Sequence, residues 1–170
     1  MRYKAALLIM TIPCIILSAA SPTQTSTGSH IFSTWQGIEM DKAASTWLIK
    51  RFVDKEAQLR VVPKGSVIRT GVPFDTPDSE LRRDRSVTTF ESIQRKYKIQ
   101  DPALDYIAKI VWDIEVNIWD KKVTSESRGV NAVVLGTRRI SRNDTECLEK
   151  CIPVFDALYA EIKARKGVVK

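Results

Sequence analysis

Histidine is almost absent from this chain, and cysteine is scarce. The 170 residues include one histidine, His30, and three cysteines. The Cys-His spacing of a zinc site is absent. His30 falls in a segment near the N-terminus that we predict to be flexible, so it is not placed to activate a serine or cysteine nucleophile. We therefore expect neither a histidine-based metal centre nor a catalytic triad, and we predict no catalytic residues.

The sequence also has no apolar run long enough to cross a bilayer as a helix, which needs about 20 residues. The longest run, Ala5 to Leu17, follows a short basic start and precedes Ser18-Ala19-Ala20. Small residues at such positions are what a signal peptidase reads. We predict a signal peptide at residues 1–20 and export to the periplasm, with membrane contact only through an uncleaved signal. An N-terminal anchor is the alternative.

Two further segments follow the predicted signal peptide. Residues 21–31 are rich in Ser, Thr and Gly and have no apolar periodicity, which predicts a disordered leader. Residues 32–165 are predicted to form one domain, since a chain of that length can bury a single core without disulfides.

Basic residues are in moderate excess. The formal net charge is +7, and removing Arg2 and Lys4 with the leader lowers it by two, to +5. Such an excess attracts anions, but it is too small and too scattered to indicate nucleic acid as a partner. The dense clusters are Arg82-Arg83-Asp84-Arg85 and Arg138-Arg139. We interpret both clusters as solvated surface.

Two cysteines, Cys147 and Cys151, remain after processing, four residues apart in a segment with helical periodicity. Cys151 lies on the apolar stripe of that segment, which favours burial as a free thiol. A disulfide between the two is geometrically feasible but uncommon at this spacing. A functional thiol is the third alternative.

Periodicity predicts an α+β fold, a mostly helical single domain with a small β-sheet. Asp41 is predicted to cap the first helix, Thr88 and Glu91 have capping-box spacing, and Asp101-Pro102 is typical of a helix start. Pro153 is expected to kink the last helix or end its first part. The predicted strands are 33–39, 58–63 and 67–75; the predicted helices are 41–53, 88–97, 101–119 and one that begins at residue 143 or 144.

Two charged residues interrupt the apolar faces of predicted helices. Arg51 lies in the middle of the apolar arc of helix 41–53, and Glu115 falls inside the arc of helix 101–119. A buried charge without a partner is very costly. Either both side chains extend to the surface, or the two helices face one pocket where Arg51 and Glu115 meet each other or a ligand.

Four segments in fixed order resemble the chromate-resistance protein family, the domain at the C-terminal end of ChrB-type proteins. They are the stretch Asp41 to Asp54, Gly71-Val72-Pro73-Phe74-Asp75, Thr89-Phe90-Glu91 and Asp156-Ala157-Leu158-Tyr159. The resemblance covers about residues 33 to 160. ChrB-type regulators carry an additional N-terminal DNA-binding portion, and no segment of this sequence corresponds to it.

The resemblance also shows departures from the family pattern. Positions where relatives often carry histidine or cysteine are Glu39, Arg83 and Thr88 here, whereas Glu115 keeps the family's carboxylate. If those family residues bind a soft or borderline metal, this chain has lost the ligands for it, and the remaining oxygen ligands suit hard divalent cations. The candidate pocket acids are Glu39, Asp41, Asp75, Glu80, Glu91 and Glu115. For Glu91 the capping box is the competing role.

The resemblance implies an exported accessory protein of chromate, oxyanion or metal stress resistance. We expect it to bind a small inorganic anion such as chromate in a pocket between helices, because arginine forks match tetrahedral oxyanions. The candidate anion-binding residues are Lys42, Arg51, Arg83 and Arg85. No cofactor is predicted in this case. One alternative is an enzyme using a carboxylate-held divalent cation, and the other is a degenerate, non-catalytic binding scaffold.

Overall fold

A computed structural model describes residues 30 to 165 and confirms an α+β fold that is mostly helical. The predicted signal peptide and residues 21–29 of the leader lie outside the described residues. The strands are β1 (Ile31–Trp35), β2 (Gln58–Val62) and β3 (Val72–Pro73). The helices are α1 (Met40–Leu48), continued by a π-helical turn (Ile49–Val53), α2 (Thr89–Lys96), α3 (Pro102–Glu115), α4 (Ser127–Arg139) and α5 (Asp144–Arg165).

The three strands form a parallel sheet in the order β2-β1-β3. Phe32 of the central strand pairs with Leu59 on one side and with Val72 on the other. The chain therefore crosses from one side of β1 to the other after β2. In parallel sheets, ligands bind outside the carboxyl ends of the strands, at the point where the strand order reverses. Here that point is the end of β1.

Gly71 allows β3 to approach β1. Its φ is +79°, and a Cβ atom at this position would lie 2.3 Å from the backbone oxygen of Ile31. Any side chain would therefore clash with the backbone of the central strand, in a conformation that already favours glycine. This one position fixes how closely the third strand can pair.

Helix α1 is buried on every side. All nine of its residues are buried, including Asp41 and Lys42, because α2, α3, α4 and α5 all pack around it. The sequence predicted one apolar arc, as for a surface helix. A helix surrounded by other elements has no solvent face, so each of its charged side chains requires a partner inside the protein.

Local capping signals were predicted well in two places and wrongly in one. The capping box between Thr88 and Glu91 is present, and Asp101 accepts a hydrogen bond from the Ala103 N–H at 2.7 Å. Helix α1, however, begins at Met40 rather than at a capping Asp41. Its N-cap residue is Glu39, which makes no side-chain cap.

Helix α3 ends four residues earlier than predicted. The carbonyl oxygen of Asp113, which would accept the next helical hydrogen bond, instead accepts one from Lys122 Nζ. The Asn117 N–H bonds to the Trp112 oxygen at 2.9 Å. A lysine from the following loop therefore stops the helix at Glu115, and no signal within the helix itself marks this end.

Helix α5 runs through Pro153, which is exposed on its surface and does not end it. Cys147 and Cys151 are both free and buried on this helix, which confirms the favoured interpretation. Burial raises the pKa of the Cys151 thiol to about 12, so it stays protonated and is a poor nucleophile. In the described part of the chain, no helix is both long and apolar enough to cross a membrane.

Candidate functional site

A cavity of about 460 Å³ lies at the carboxyl edge of the sheet. Each strand leads into it: Trp35 ends β1, Lys64 follows β2, and Asp75 follows β3. The remaining lining residues are Gln36, Gly37, Glu39, Lys42, Thr76, Pro77, Arg82, Arg83 and Arg138. The cavity therefore occupies the position at which the strand order reverses, where parallel sheets bind ligands.

Basic side chains outnumber acidic ones around this cavity. The lining acids are Glu39 and Asp75. The lining cations are Lys42, Lys64, Arg82, Arg83 and Arg138. How much of this charge is available to a ligand depends on which cations already have carboxylate partners within the protein.

Lys42 is fully engaged inside the protein. Its ammonium donates to the backbone oxygens of Trp35 at 2.6 Å and Gly37 at 2.7 Å, and it lies 3.5 Å from Asp75 Oδ2. The residue is only 4% exposed. Lys42 therefore holds the carboxyl end of β1 and forms the floor of the cavity, with little free charge to offer.

Arg83 bridges two carboxylates at the rim. Its Nη1 lies 3.1 Å from Glu39 Oε2 and donates to Glu115 Oε2 at 2.6 Å. The Arg83 side chain is partly exposed, whereas that of Glu115 is mostly buried. Arg83 is therefore the counter-charge of Glu115, which explains why a carboxylate can lie on the apolar face of α3.

Three lining cations have no carboxylate partner. In the part of the chain that the structure describes, neither Lys64 nor Arg82 nor Arg138 forms an ion pair. Arg82 Nη1 donates only to the Ser79 backbone oxygen at 2.8 Å, and Arg138 Nη1 only to the Ile38 oxygen at 3.4 Å. Backbone carbonyls are neutral, so the positive charge of these side chains is not compensated.

Beneath the cavity, two buried carboxylates cap helices other than their own. Asp41 of α1 accepts hydrogen bonds from the backbone N–H groups of Thr89 at 2.6 Å and Phe90 at 2.9 Å, in the first turn of α2. Glu115 of α3 accepts from the Asp41 N–H at 3.2 Å, in the first turn of α1. Negative charge at a helix N-terminus is favourable, so these acids join three helices.

Burial raises the pKa of Asp41 to about 7, and repulsion from Asp75 and Glu115 adds to this effect. Burial likewise raises the pKa values of Asp75 and Glu115. Within residues 30–165, no group of three His, Cys, Asp or Glu side chains is placed to hold a metal ion. The geometry of these acids is that of helix caps and ion-pair partners.

Arg51 lies at the other end of the first helix. Its Nε and Nη2 each donate to the Asp156 carboxylate at 2.8 Å, and Trp47 Nε1 donates to the same group at 2.7 Å. Of the alternatives for Arg51, the one in which it meets Glu115 is therefore wrong. Arg51 belongs to the π-helical turn after α1, beyond the buried helix, so it faces α5 and solvent.

The remaining predicted site residues do not line the cavity either. Glu80 is exposed and pairs with Lys96 at 2.6 Å. Glu91 has the capping-box role, with its Oε2 accepting from the Thr88 N–H at 2.8 Å. Arg85 is exposed outside the cavity. The predicted residues that do line it are Lys42, Arg83, Glu39 and Asp75, with Asp41 and Glu115 just below.

Sequence reasoning missed Trp35, Lys64, Arg82 and Arg138. Arg82 and Arg138 belong to the two dense basic clusters, which we interpreted as solvated surface. Lys64 comes directly after a strand that was predicted almost to the residue. A search for cations just beyond the carboxyl ends of predicted strands would have found it.

The sequence is similar to a known protein family and to one of its members. The sequence model described as "ChrB, C-terminal domain" matches residues 32–162. The chain is 26% identical over 140 residues to Protein ChrB of Cupriavidus metallidurans. That alignment covers 78% of this chain and 41% of the relative, so the chain spans about two fifths of the relative's length. No solved structure matches the chain.

Proposed function

The chain belongs to the ChrB C-terminal domain family, and we propose that it serves chromate or other oxyanion resistance by binding a small anion. Family membership supports the link to chromate resistance. The observation that carries anion binding is the set of three unpaired cations, Lys64, Arg82 and Arg138, around one cavity. The proposed site lies at the edge of the sheet, not between α1 and α3 as the helix faces predicted.

The chemistry of these side chains supports the proposal. A guanidinium group presents several N–H donors in a plane and binds tetrahedral oxyanions with charge-assisted hydrogen bonds. Arg82 and Arg138 are each held by a backbone carbonyl, so less side-chain freedom is lost on binding. Lys64 adds a third positive charge from the end of β2.

Calorimetric titration of the protein with chromate, sulfate and phosphate at low salt tests this proposal. We expect Arg82→Ala and Arg138→Ala each to weaken binding by about tenfold or more, the value of one charge-assisted hydrogen bond. Arg85→Ala is the matched control, because Arg85 lies in the same basic cluster but outside the cavity. Binding should also weaken as salt rises.

Absence of heat with all three anions at low salt would overturn anion binding and favour the non-catalytic scaffold. Heat with Mg²⁺ or Mn²⁺ that disappears in Glu115→Gln, without any anion binding, would instead favour the enzyme with a carboxylate-held cation. Equal weakening in Arg85→Ala and Arg82→Ala would mean general surface attraction and would contradict the cavity as the site.

Export remains part of the proposal, supported by the basic start, short apolar run and small residues at 18–20. We expect the mature protein to begin at or near Ser21 and to fractionate with periplasmic contents. N-terminal sequencing that finds Met1 on a cytosolic protein would contradict export.

A further inference from the structure

The cavity is much larger than an inorganic oxyanion requires. Its volume of about 460 Å³ corresponds to roughly 15 water molecules at about 30 Å³ each. A tetrahedral oxyanion displaces only a few of these. Sites for metabolite-sized ligands have volumes of about 300–1,000 Å³. The cavity therefore has room for an organic group attached to the anion.

One of the residues that line the cavity, Trp35, is aromatic. Trp35 lines the cavity, and its Nε1 donates to the backbone oxygen of Ser66 at 2.8 Å, which fixes the orientation of the indole. A tryptophan held in place can offer a stacking surface to planar rings, as aromatic side chains do to bases in proteins that bind single strands. An inorganic anion makes no use of such a surface.

A second cavity lies next to the first. This second cavity, of about 450 Å³, shares Gln36, Gly37 and Arg138 with the first and reaches Arg142 and the start of α5. Arg138 thus stands between the two spaces. A ligand longer than a single tetrahedral group that binds in the first cavity would therefore have further space beside it, on the other side of Arg138.

From these observations we propose that the ligand is a nucleoside phosphate or a similar planar-ring organic phosphate. Its ring would stack on Trp35 and its phosphate would lie among Lys64, Arg82 and Arg138. The position at the strand-order reversal is where nucleotide phosphates bind in related sheet architectures. The connection from β1 to α1 has a single glycine, Gly37, so side chains take the place of a glycine-rich phosphate loop. This inference rests on the proposed function, because it uses the same cations.

Titration of the protein with AMP, adenosine and inorganic phosphate tests the inference. Calorimetry and tryptophan fluorescence should both report binding. We expect AMP to bind at least tenfold more tightly than phosphate and adenosine to bind weakly. Trp35→Leu should remove most of the advantage of AMP, and Trp35→Phe should keep much of it because a ring remains. Trp119→Leu is the matched control, since Trp119 is 93% exposed and outside the cavity.

These titrations distinguish failure of the organic-phosphate proposal from failure of the anion-binding proposal. Phosphate or chromate binding with no gain for AMP would overturn the organic ligand and leave inorganic anion binding intact. An AMP advantage that survives in Trp35→Leu would contradict stacking on Trp35. No heat from AMP, phosphate or chromate would overturn both proposals. Circular dichroism of Trp35→Leu shows whether a lost affinity reflects a lost fold, and Trp35→Phe then decides the outcome.

Discussion

Asp41 and Asp113 are two carboxylates without exposed surface, yet their pKa values move in opposite directions. Burial alone raises both. Around Asp113, hydrogen bonds from the Val123 N–H and from the Thr124 and Ser127 hydroxyls outweigh burial and lower its pKa. Asp41 has fewer donors and faces other carboxylates, so its pKa rises to about 7.

The opposite pKa shifts of Asp113 and Asp41 reflect different structural roles of the two buried acids. Asp113 joins α3 to the loop before α4 by accepting from the Thr124 N–H and the Ser127 hydroxyl, among other donors. Asp41 lies below the cavity, where carboxylates are crowded together and, among residues 30–165, Lys42 and Arg83 are the cations paired with them. Donor number and neighbouring charge, rather than burial, decide which buried acid stabilises the fold at neutral pH.

Removing Asp113, which accepts more hydrogen bonds than Asp41, should have the largest effect on the free energy of unfolding. We expect Asp113→Ala to lower the free energy of unfolding by about 5 kcal/mol, since two N–H groups and two hydroxyls lose their acceptor at about 1–3 kcal/mol each. Urea unfolding measures this. Lys109→Ala, on an exposed position of the same helix, should cost less than about 0.5 kcal/mol. A loss below 1 kcal/mol in Asp113→Ala would show that the loop re-solvates these groups freely.

Asp41, which lies among other carboxylates, should instead make the free energy of unfolding depend on pH. The pKa of Asp41 is about 7 when folded and about 3.9 when unfolded, so the folded state binds more protons between these values. Its stabilising contribution is complete below pH 4 and is lost as pH rises through 7, by at most about 4 kcal/mol. Urea midpoints from pH 4.5 to 7.5 should fall in the native protein and fall less in Asp41→Asn.

Asp78→Asn serves as the control for this slope, because Asp78 is exposed and outside the carboxylate group. Identical slopes in the native protein and in Asp41→Asn would contradict the raised pKa. Asp75 and Glu115 also have raised pKa values, so we expect Asp41→Asn to reduce the slope and not to abolish it.

The ion pair of Asp156, whose side chain is partly exposed to water, should contribute least to the free energy of unfolding. The Asp156 and Arg51 side chains are both more than 40% exposed, so their ion pair should contribute about 1 kcal/mol or less. A double-mutant cycle with Arg51→Met and Asp156→Asn measures this coupling. The cycle of Arg51→Met with Glu115→Gln should show none, because the two side chains do not meet. A coupling of several kcal/mol in the second cycle would contradict the structure.

The sequence predicted features that depend on neighbouring residues and missed those that depend on residues far apart in the chain. The capping box at Thr88 and the cap at Asp101 involve neighbours within three residues, so their signals are local. The partner of Arg51 is 105 residues away, and the end of α3 depends on Lys122 from a later loop. Fold class and most strand positions were therefore accessible, whereas ion-pair partners were not.

The candidate site shows the same limit. Its free cations come from three separate segments, the loops after β2 and β3 and the helix α4. Charge density marked Arg82 and Arg138, but density alone cannot tell a surface cluster from a cavity wall. Lys42 looked available in the sequence and is engaged by two carbonyls, because the helix that carries it is buried on all sides.

The cap that Glu115 supplies to α1 has a consequence for the order of folding. The central helix has no side-chain cap of its own, and the acceptor for its Asp41 N–H is 74 residues away along the chain. Closing a loop of that length precedes the contact, so α1 should be completed late. In stopped-flow experiments, Glu115→Ala should therefore speed unfolding and leave the refolding rate nearly unchanged. A slowed refolding rate would place this contact in the transition state.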